Sequence, residues 1–330
     1  MQLQKTPAVS NLWLAVSAWL AQLAPTTQTT YVSVIKEFCS FLGAQAGTGV
    51  AATLLQEVRA PQALAFVQAA KNQLGHRPRY QKKGVSKAAP ATIYKKIMVL
   101  RRLYGVLVAH QLVPTNPFLR ELLPVPNPQG GRKRDTEMLP FDSVRPLMKS
   151  IEEGPRETRD SAILACLFGG GLRRGEIVKL LVADVARTSQ GTTYLALSKT
   201  KDGQDHRQAL PAWAAERVWA LVAERRTMGA LPEDPLFVTY TGQGGQTPTT
   251  RAMPACAVYH LFRRSCEKIG LAPHYSPHSA RATAITKLLA DGVPHRQVQE
   301  FSRHKSITMV EVYDKRRFEV DHSPAKSLSF

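Results

Sequence analysis

The chain has 330 residues, 44% of them hydrophobic, and its 44 Lys and Arg outnumber its 25 Asp and Glu. This length is enough for about two domains of roughly 150 residues, and the apolar content excludes a disordered chain. The net charge of +19 favours a polyanionic partner, either nucleic acid or an acidic membrane surface.

The membrane alternative has little support in the sequence. No apolar run approaches the roughly 20 residues that a spanning helix needs. Residues 12–23 form too short a stretch, without the basic region of a signal peptide. The four cysteines form no CxxC pair that would indicate zinc or a redox motif. We therefore expect a cytoplasmic, nucleoid-associated protein that binds double-stranded DNA and uses no cofactor and no metal.

The N-terminal part is predicted to be helical and to face DNA. Residues 1–127 hold 14 Lys and Arg but only three acids, as a surface laid against phosphates should. A first helix follows a Thr-rich start that can cap it. Its apolar residues recur at helical spacing: Tyr31, Val34, Phe38 and Phe41.

A second clear helix is predicted after Pro90. Its apolar stripe consists of Ile93, Ile97, Leu100, Leu103 and Leu107. The other face carries Lys95, Lys96, Arg101 and Arg102. Such a face is usually just solvated, but the near-absence of acids favours contact with DNA. The loop HRPRYQKKGVSK (76–87), with Lys82 and Lys83, is predicted to be a further clamp on the DNA backbone.

Residues 122–138, LLPVPNPQGGRKRDTEM, are rich in proline and glycine and are predicted to be a linker. They separate a helical DNA-binding domain (1–121) from a second domain (139–330). In the second domain, residues 161–168 form an apolar helix that ends at three glycines, 169–171. A new helix is expected near Leu172, with a buried side made of Ile177, Leu180 and Leu181.

Further along, residues 192–198 favour a strand, and Asp202-Gly203 is a hairpin turn signal. Helices return from Pro277 to Tyr313, with Gly292 ending the first of them.

The last stretch carries groups suited to metal-free cleavage of a phosphodiester. That reaction needs a nucleophile, cations for the non-bridging oxygens and a proton donor for the leaving oxygen. His278 and Arg281 are three residues apart and share one face of a helix. His304 follows 23 residues after Arg281, and Tyr313 nine residues after His304. Arg173 stands at a predicted helix N-terminus, which also favours an anion.

Each of these residues alone would most often be structural, but their order and spacing are informative together. The segment SPHSARATAITKLLADGVPHRQVQEFSRHKSITMVEVYDKR resembles the signature block of the tyrosine recombinase (phage integrase) family. GGGLRRGEIVKLLVADV resembles its first arginine box. TTQTTYVSVIKEFCSFLG and APATIYKKIMVLRRLYGVLVAHQLVPTNPF resemble its helical core-binding domain.

The resemblance implies a mostly α fold with a small β-sheet. A helical, SAM-like core-binding domain would precede a mixed α+β catalytic domain. Arg173 and Arg281 would grip the scissile phosphate, and Tyr313 would attack it and form a 3′-phosphotyrosine. His278 would help to remove the tyrosine proton, and His304 would donate to a non-bridging oxygen. Glu176 would orient the cationic groups.

The family's general acid is a lysine on a β-hairpin, and two lysines of SKTKDGQ compete for that role. Lys201, immediately before the Asp-Gly turn, is preferred, and Lys199 is the alternative. Two departures from the family pattern are interpreted as lineage variation. Ala282 follows Arg281, where many relatives carry a histidine, and Ser302-Arg303 precede His304, where Leu-Gly is frequent.

The resemblance implies an Xer-like or transposon-type recombinase, acting in integration, excision or resolution. It would assemble as a tetramer on two sites made of paired inverted half-sites. The alternatives are a type IB topoisomerase and a non-catalytic DNA-binding regulator. Residues 314–330 keep four apolar side chains, and this tail is predicted to dock on a neighbouring protomer: Phe318, Val320, Leu328 and Phe330.

Overall fold

The computed structural model describes residues 7–72, 89–123, 137–198, 205–242 and 245–314. The chain forms two compact units, Met1–Arg134 and Asp135–Phe330. The described residues are mostly helical, with small antiparallel sheets in the second unit, which confirms the predicted fold class. The basic loop 76–87 lies outside the described residues, as does most of the predicted linker (124–136).

The first unit is built from helices. They are α1 (Pro7–Ala21), α2 (Pro25–Phe41), α3 (Gly49–Glu57), α4 (Ala60–Asn72) and α5 (Pro90–Ala109). The whole apolar stripe predicted after Pro90 is buried along α5. Of the spaced residues of α2, Tyr31, Val34 and Phe38 are buried, whereas Phe41 is exposed. Both helices predicted in this unit are confirmed.

The start of α2 differs from the prediction. Its N-cap is Ala24, which makes no side-chain hydrogen bond, and Pro25 occupies the first turn. Proline suits that position because its φ is already helical and it has no N–H to leave unpaired. The Thr29 and Thr30 hydroxyls donate back to carbonyls one turn earlier, so they do not cap the helix.

Aromatic contacts centred on Phe38 form the middle of this unit. Its ring meets Phe66, Tyr104 and Phe118 edge-on, with centroid distances of 4.9, 6.4 and 5.5 Å. The buried Tyr104 hydroxyl donates to the Leu55 carbonyl over 2.9 Å. The apolar stripes of α2, α4 and α5 therefore share one core.

The helices of the second unit, in chain order, are α6 (Val144–Lys149), α7 (Glu157–Phe168), α8 (Arg174–Ile177), α9 (Ala212–Thr227), α10 (Ala255–Lys268), α11 (Pro277–Ala290), α12 (His295–Ser302) and α13 (Thr308–Glu311). Its strands are β1 (Val185–Arg187), β2 (Thr193–Leu197), β3 (His206–Ala209), β4 (Val238–Thr241) and β5 (Thr247–Ala252). Short 3-10 turns precede α6 (Phe141–Ser143) and β1 (Val182–Asp184). The order β1-β2-β3 forms one antiparallel sheet, and β4 pairs with β5.

The three glycines after α7 allow close packing around the chain reversal that follows. A Cβ atom at Gly169 would lie 2.6 Å from the Cβ atom of Ala214, so α9 approaches the end of α7 closely. Gly171 has a φ of +57°, and a Cβ atom there would lie 2.8 Å from the Phe301 ring. The glycine run thus places the residues after Gly171 beside the end of α12.

The helix predicted from Leu172 is much shorter than expected. Only the one-turn α8 forms, because the backbone after it pairs with another segment instead of continuing the helix. Leu181 makes a β-bridge with Pro235, and the Leu236 N–H donates to the Leu180 carbonyl over 2.8 Å. Ile177 and Leu180 are buried as predicted, but Leu181 is only partly buried.

The predicted strand at 192–198 is confirmed as β2, the middle strand of its sheet. It pairs antiparallel with β3, in a register that sets Leu197 opposite His206. The Asp202-Gly203 turn and both candidate lysines lie outside the described residues. The helices predicted from Pro277 are confirmed, and Gly292 follows α11 with a φ of +83°.

Candidate active site

Arg281 lies on α11 and is almost completely buried, with 1% of its surface exposed. Its Nη1 donates to the Gly171 carbonyl. Its Nε and Nη2 are also buried, and neither has a hydrogen-bond partner among the described residues. Burial, followed by the charges of Arg173 and Arg303, lowers the pKa of Arg281 to about 9, which still leaves it cationic at neutral pH. A buried cation with unused donors is suited to bind an anion.

Arg173 is the N-cap residue of α8 and is held by Glu176 on the same turn. Its Nη1 lies 2.6 Å from Glu176 Oε1, and its backbone N–H donates to Glu176 Oε2 over 2.8 Å. Burial alone would raise the pKa of Glu176, but Arg303 and Arg173 outweigh it and lower the pKa below its ordinary value. Glu176 is therefore an ionised carboxylate that orients Arg173.

The two histidines stand in the field of these arginines. Partial desolvation, then Arg281 and Arg173, lower the pKa of His278. The pKa of His304 is lowered to about 4 by the same causes in the same order, followed by smaller effects of His278 and Arg303. His304 is therefore neutral at pH 7 in the free protein. A bound phosphate would raise both pKa values, because a nearby anion favours the charged imidazole.

His304 is oriented from both sides. Its Nδ1 lies 3.0 Å from Ser302 Oγ, and that hydroxyl is also 3.2 Å from the Gln299 carbonyl. Its ring stacks on Tyr313, with centroids 5.8 Å apart and planes inclined by 9°. Because Nδ1 faces Ser302, the opposite nitrogen, Nε2, is left to act on a substrate.

Tyr313 follows the one-turn α13 and is partly buried against the small core of α11, α12 and α13. Its backbone N–H donates to the Val310 carbonyl over 2.9 Å. The next residue, Asp314, places Oδ2 3.0 Å from Nε2 of His295 at the start of α12. The backbone of Tyr313 and the side chain of the residue after it are thus both held by contacts within the unit.

A model of the phage integrase family matches residues 137–319, more than half of the chain. The chain belongs to the phage integrase family. Among curated relatives, tyrosine recombinase XerC of Bacillus subtilis is 28% identical over 294 residues, covering 87% of this chain and 84% of that protein. A tyrosine recombinase of Synechococcus elongatus is 37% identical over 163 residues, covering 48% of each chain.

Solved structures of a DNA-bound integrase and a DNA-bound recombinase share the fold. The integrase of transposon Tn1549, bound to circular intermediate DNA, has a TM-score of 0.65 at 17% identity, covering 97% of this chain and 99% of that chain. XerH recombinase in a post-cleavage complex with difH DNA has a TM-score of 0.61 at 16% identity, covering 83% and 72%. Site-specific tyrosine recombination, with DNA strand cleavage and rejoining, is the activity that membership of this family supports; the topoisomerase and regulator alternatives are not favoured.

The structure brings together the predicted catalytic residues that it describes, together with Glu176. Direct contacts or electrostatic interactions connect them into one cluster: Arg173, Glu176, His278, Arg281, His304 and Tyr313. Lys201 and its alternative Lys199 lie outside the described residues. In the described part of the chain, no three His, Cys, Asp or Glu side chains are grouped so that they could hold a metal ion.

Arg303 is not among the site residues predicted from the sequence, where it is interpreted as lineage variation. Its side chain is buried and lies 2.9 Å from Glu176. The available signal was its place directly before His304, where glycine is frequent in the family. A large cation at a glycine position requires contacts that compensate for its burial.

The basic face of α5 is only partly available for DNA. Lys96 pairs with Glu37, and Arg101 Nε donates to the Phe118 carbonyl over 2.6 Å, so these two side chains stabilise the unit itself. Arg102 is exposed, although its Nη1 contacts the Tyr31 hydroxyl at 2.8 Å, and Lys95 is exposed. Lys82 and Lys83 lie outside the described residues. No helix among the described residues is long and apolar enough to cross a membrane.

Proposed function

We propose that Tyr313 attacks the scissile phosphate and forms a 3′-phosphotyrosine, and that Arg173, His278, Arg281 and His304 bind and activate that phosphate. The observation that carries this assignment is the buried Arg281, whose Nε and Nη2 are unused. Two oxygens of one phosphate would satisfy both donors in a bidentate pair. Trapping of the covalent complex on a nicked DNA substrate tests the assignment.

In the proposed reaction, His278 and a lysine account for the two proton transfers. The Tyr313 oxygen bonds to phosphorus while the bond to the 5′ oxygen breaks. His278 accepts the phenolic proton, and a lysine of the β2–β3 connection gives a proton to the 5′ oxygen. His304 and the two arginines stabilise the charge on the non-bridging oxygens. The reverse sequence, with a 5′ hydroxyl from the partner strand, rejoins the DNA.

The two lysines can be separated through the leaving group. A bridging 5′ sulfur leaves as a thiolate and needs no acid, so it makes the lysine unnecessary. We expect Lys201→Ala to slow cleavage of normal DNA by about 10²-fold and to recover on the sulfur substrate. Lys199→Ala, the matched control, should change little on either substrate. The opposite pattern in single-turnover cleavage assays would assign the acid to Lys199.

We further propose that residues 1–121 form the core-binding domain and lie against the DNA backbone. The support is their charge, together with the exposed Lys95 and Arg102 on α5. The target would be a pair of inverted half-sites, filled by two protomers, with a tetramer joining two such sites. Binding to chromosomal DNA would place the protein in the nucleoid.

Residues 315–330 of the tail lie outside the described residues, and the role of the tail stays a prediction. Its apolar side chains favour burial by about 25 cal/mol per Å² of surface, which a neighbouring protomer would provide. Deleting residues from His322 onward should spare the binding of one protomer to a half-site but weaken the cooperative filling of the second. The same deletion should reduce synapsis and strand exchange more than it reduces cleavage of a suicide half-site.

Gel-shift titration on full and half sites measures this cooperativity. Unchanged cooperativity and a normal recombination rate in the truncated protein would show that the tail has no role between protomers.

A further inference from the structure

Arg303 adopts a backbone conformation that is unusual for its residue type. It follows α12 with φ +53° and ψ +44°, in the left-handed region. Glycine is the common residue at such a helix end, because a Cβ atom is strained there. The side chain is also costly to place, since only 2% of its surface is exposed. The strained backbone and the buried charge both indicate that the Arg303 side chain has a specific function.

The contacts of the Arg303 side chain converge on the catalytic cluster. Its Nη2 lies 2.9 Å from Glu176 Oε2 and 3.4 Å from the Gly171 carbonyl, the same oxygen that accepts from Arg281. Its Nη1 donates to the Phe301 carbonyl over 3.1 Å and to the side-chain oxygen of the buried Gln208 on β3. Arg303 thus connects the α8 turn, β3 and the end of α12.

Arg173 depends on these contacts. Arg173 and Arg303 share the carboxylate of Glu176. Its Oε1 accepts from Arg173 Nη1 at 2.6 Å, and its Oε2 accepts from Arg303 Nη2. The backbone carbonyl of Arg303 also accepts from Arg173 Nη2, at 3.4 Å. Both terminal nitrogens of Arg173 are therefore held by groups that Arg303 fixes or provides.

We propose that Arg303 is a positioning residue for strand cleavage, which locks the Glu176 carboxylate and thereby holds Arg173 in the orientation that binds the scissile phosphate. This inference rests on the proposed function. Arg303 is not assigned a DNA contact, because both of its terminal nitrogens are already engaged by protein oxygens. It acts through Glu176, and Gln208 anchors its other nitrogen.

A purely structural role would not explain why a charged side chain is buried at position 303. Buried ion pairs contribute little net stability compared with apolar side chains of similar volume, because desolvation offsets the attraction. The cleavage rate, in contrast, falls when a catalytic arginine is displaced even slightly from its productive orientation. The contribution of Arg303 should therefore appear in the cleavage step more than in folding or DNA affinity.

The test compares Arg303→Gly and Arg303→Lys with the wild type on a suicide half-site. Glycine suits the backbone conformation, so this change removes only the side chain. We expect Arg303→Gly to slow single-turnover cleavage by roughly 10- to 100-fold, with half-site affinity within about twofold of wild type. Arg303→Lys keeps a charge for Glu176 and should recover part of the rate. Arg226→Ala, which removes an exposed arginine at the end of α9, is the control for net charge and should cleave normally.

A double-variant cycle with Glu176→Gln identifies the route. If Arg303 acts through Glu176, Arg303→Gly should add little to the defect of Glu176→Gln, and the combined defect should be far below the product of the two single ones. Independent, multiplicative defects, or wild-type cleavage by Arg303→Gly, would overturn the inference. If Arg303→Gly does not fold, as thermal unfolding would show, the cycle is run with Arg303→Lys under the same criterion. Failure of the wild type to form a covalent complex would instead refute the proposed function.

Discussion

Replacing Tyr313 by Phe is expected to abolish covalent attachment to DNA while half-site binding remains. The change removes only the phenolic oxygen, and the ring that stacks on His304 is kept. In the described cluster of six residues, no other side chain carries a hydroxyl group. A nicked suicide substrate should trap the wild type as a complex that resists SDS and migrates slowly, and the variant should give none.

Half-site gel shifts serve as the control, because equal affinity shows that the variant is folded and binds. Covalent trapping by Tyr313→Phe at the wild-type yield would remove Tyr313 from its role.

Replacing Arg281 or Arg173 by Ala should each slow cleavage by about 10² to 10³-fold while DNA binding survives. Each arginine is a preorganised donor to the charge that grows on the non-bridging oxygens, and Arg281 is already desolvated. Single-turnover cleavage of the suicide substrate measures the loss. EDTA should leave the wild-type rate unchanged, because these cations take the part that metal ions play in other phosphodiesterases.

Arg281→Lys is the companion variant, because alanine leaves a cavity where a large buried side chain stood. Lysine keeps the charge but not the forked donors, so its cleavage rate should also be low while its thermal unfolding stays near that of the wild type. Near-normal cleavage by Arg281→Ala, or a strict Mg²⁺ requirement for cleavage, would point to a different mechanism.

The parts of the fold that the sequence predicts are those governed by local pattern. The stripe of α5 and the short β2 are visible as apolar periodicity, and Gly292 marks the end of α11. The helical spacing of His278 and Arg281 likewise places both on one face of α11. Only the resemblance to the family predicted that Arg173, His304 and Tyr313 lie near that face. No local sequence rule brings α8, α12 and α13 together.

What the sequence analysis missed depends on contacts between distant residues. The predicted helix after Leu172 ends after one turn because Leu180 and Leu181 pair with residues more than 50 positions away. Lys96 and Arg101 have the pattern of a DNA-contacting face, but Glu37 and the Phe118 carbonyl engage them. Arg303 is 127 residues from Glu176, so its ion pair has no sequence signature.

The central claim, that Tyr313 forms the bond to DNA, is tested most directly by mapping the attachment site. Wild-type protein trapped on the suicide substrate would be digested with trypsin and nuclease, and the nucleotide-bearing peptide sequenced by mass spectrometry. We expect the peptide SITMVEVYDK, residues 306–315, with the nucleotide on Tyr313 through its 3′ phosphate. A nucleotide on Ser306 or Thr308, on any other peptide, or attached through a 5′ phosphate would contradict it.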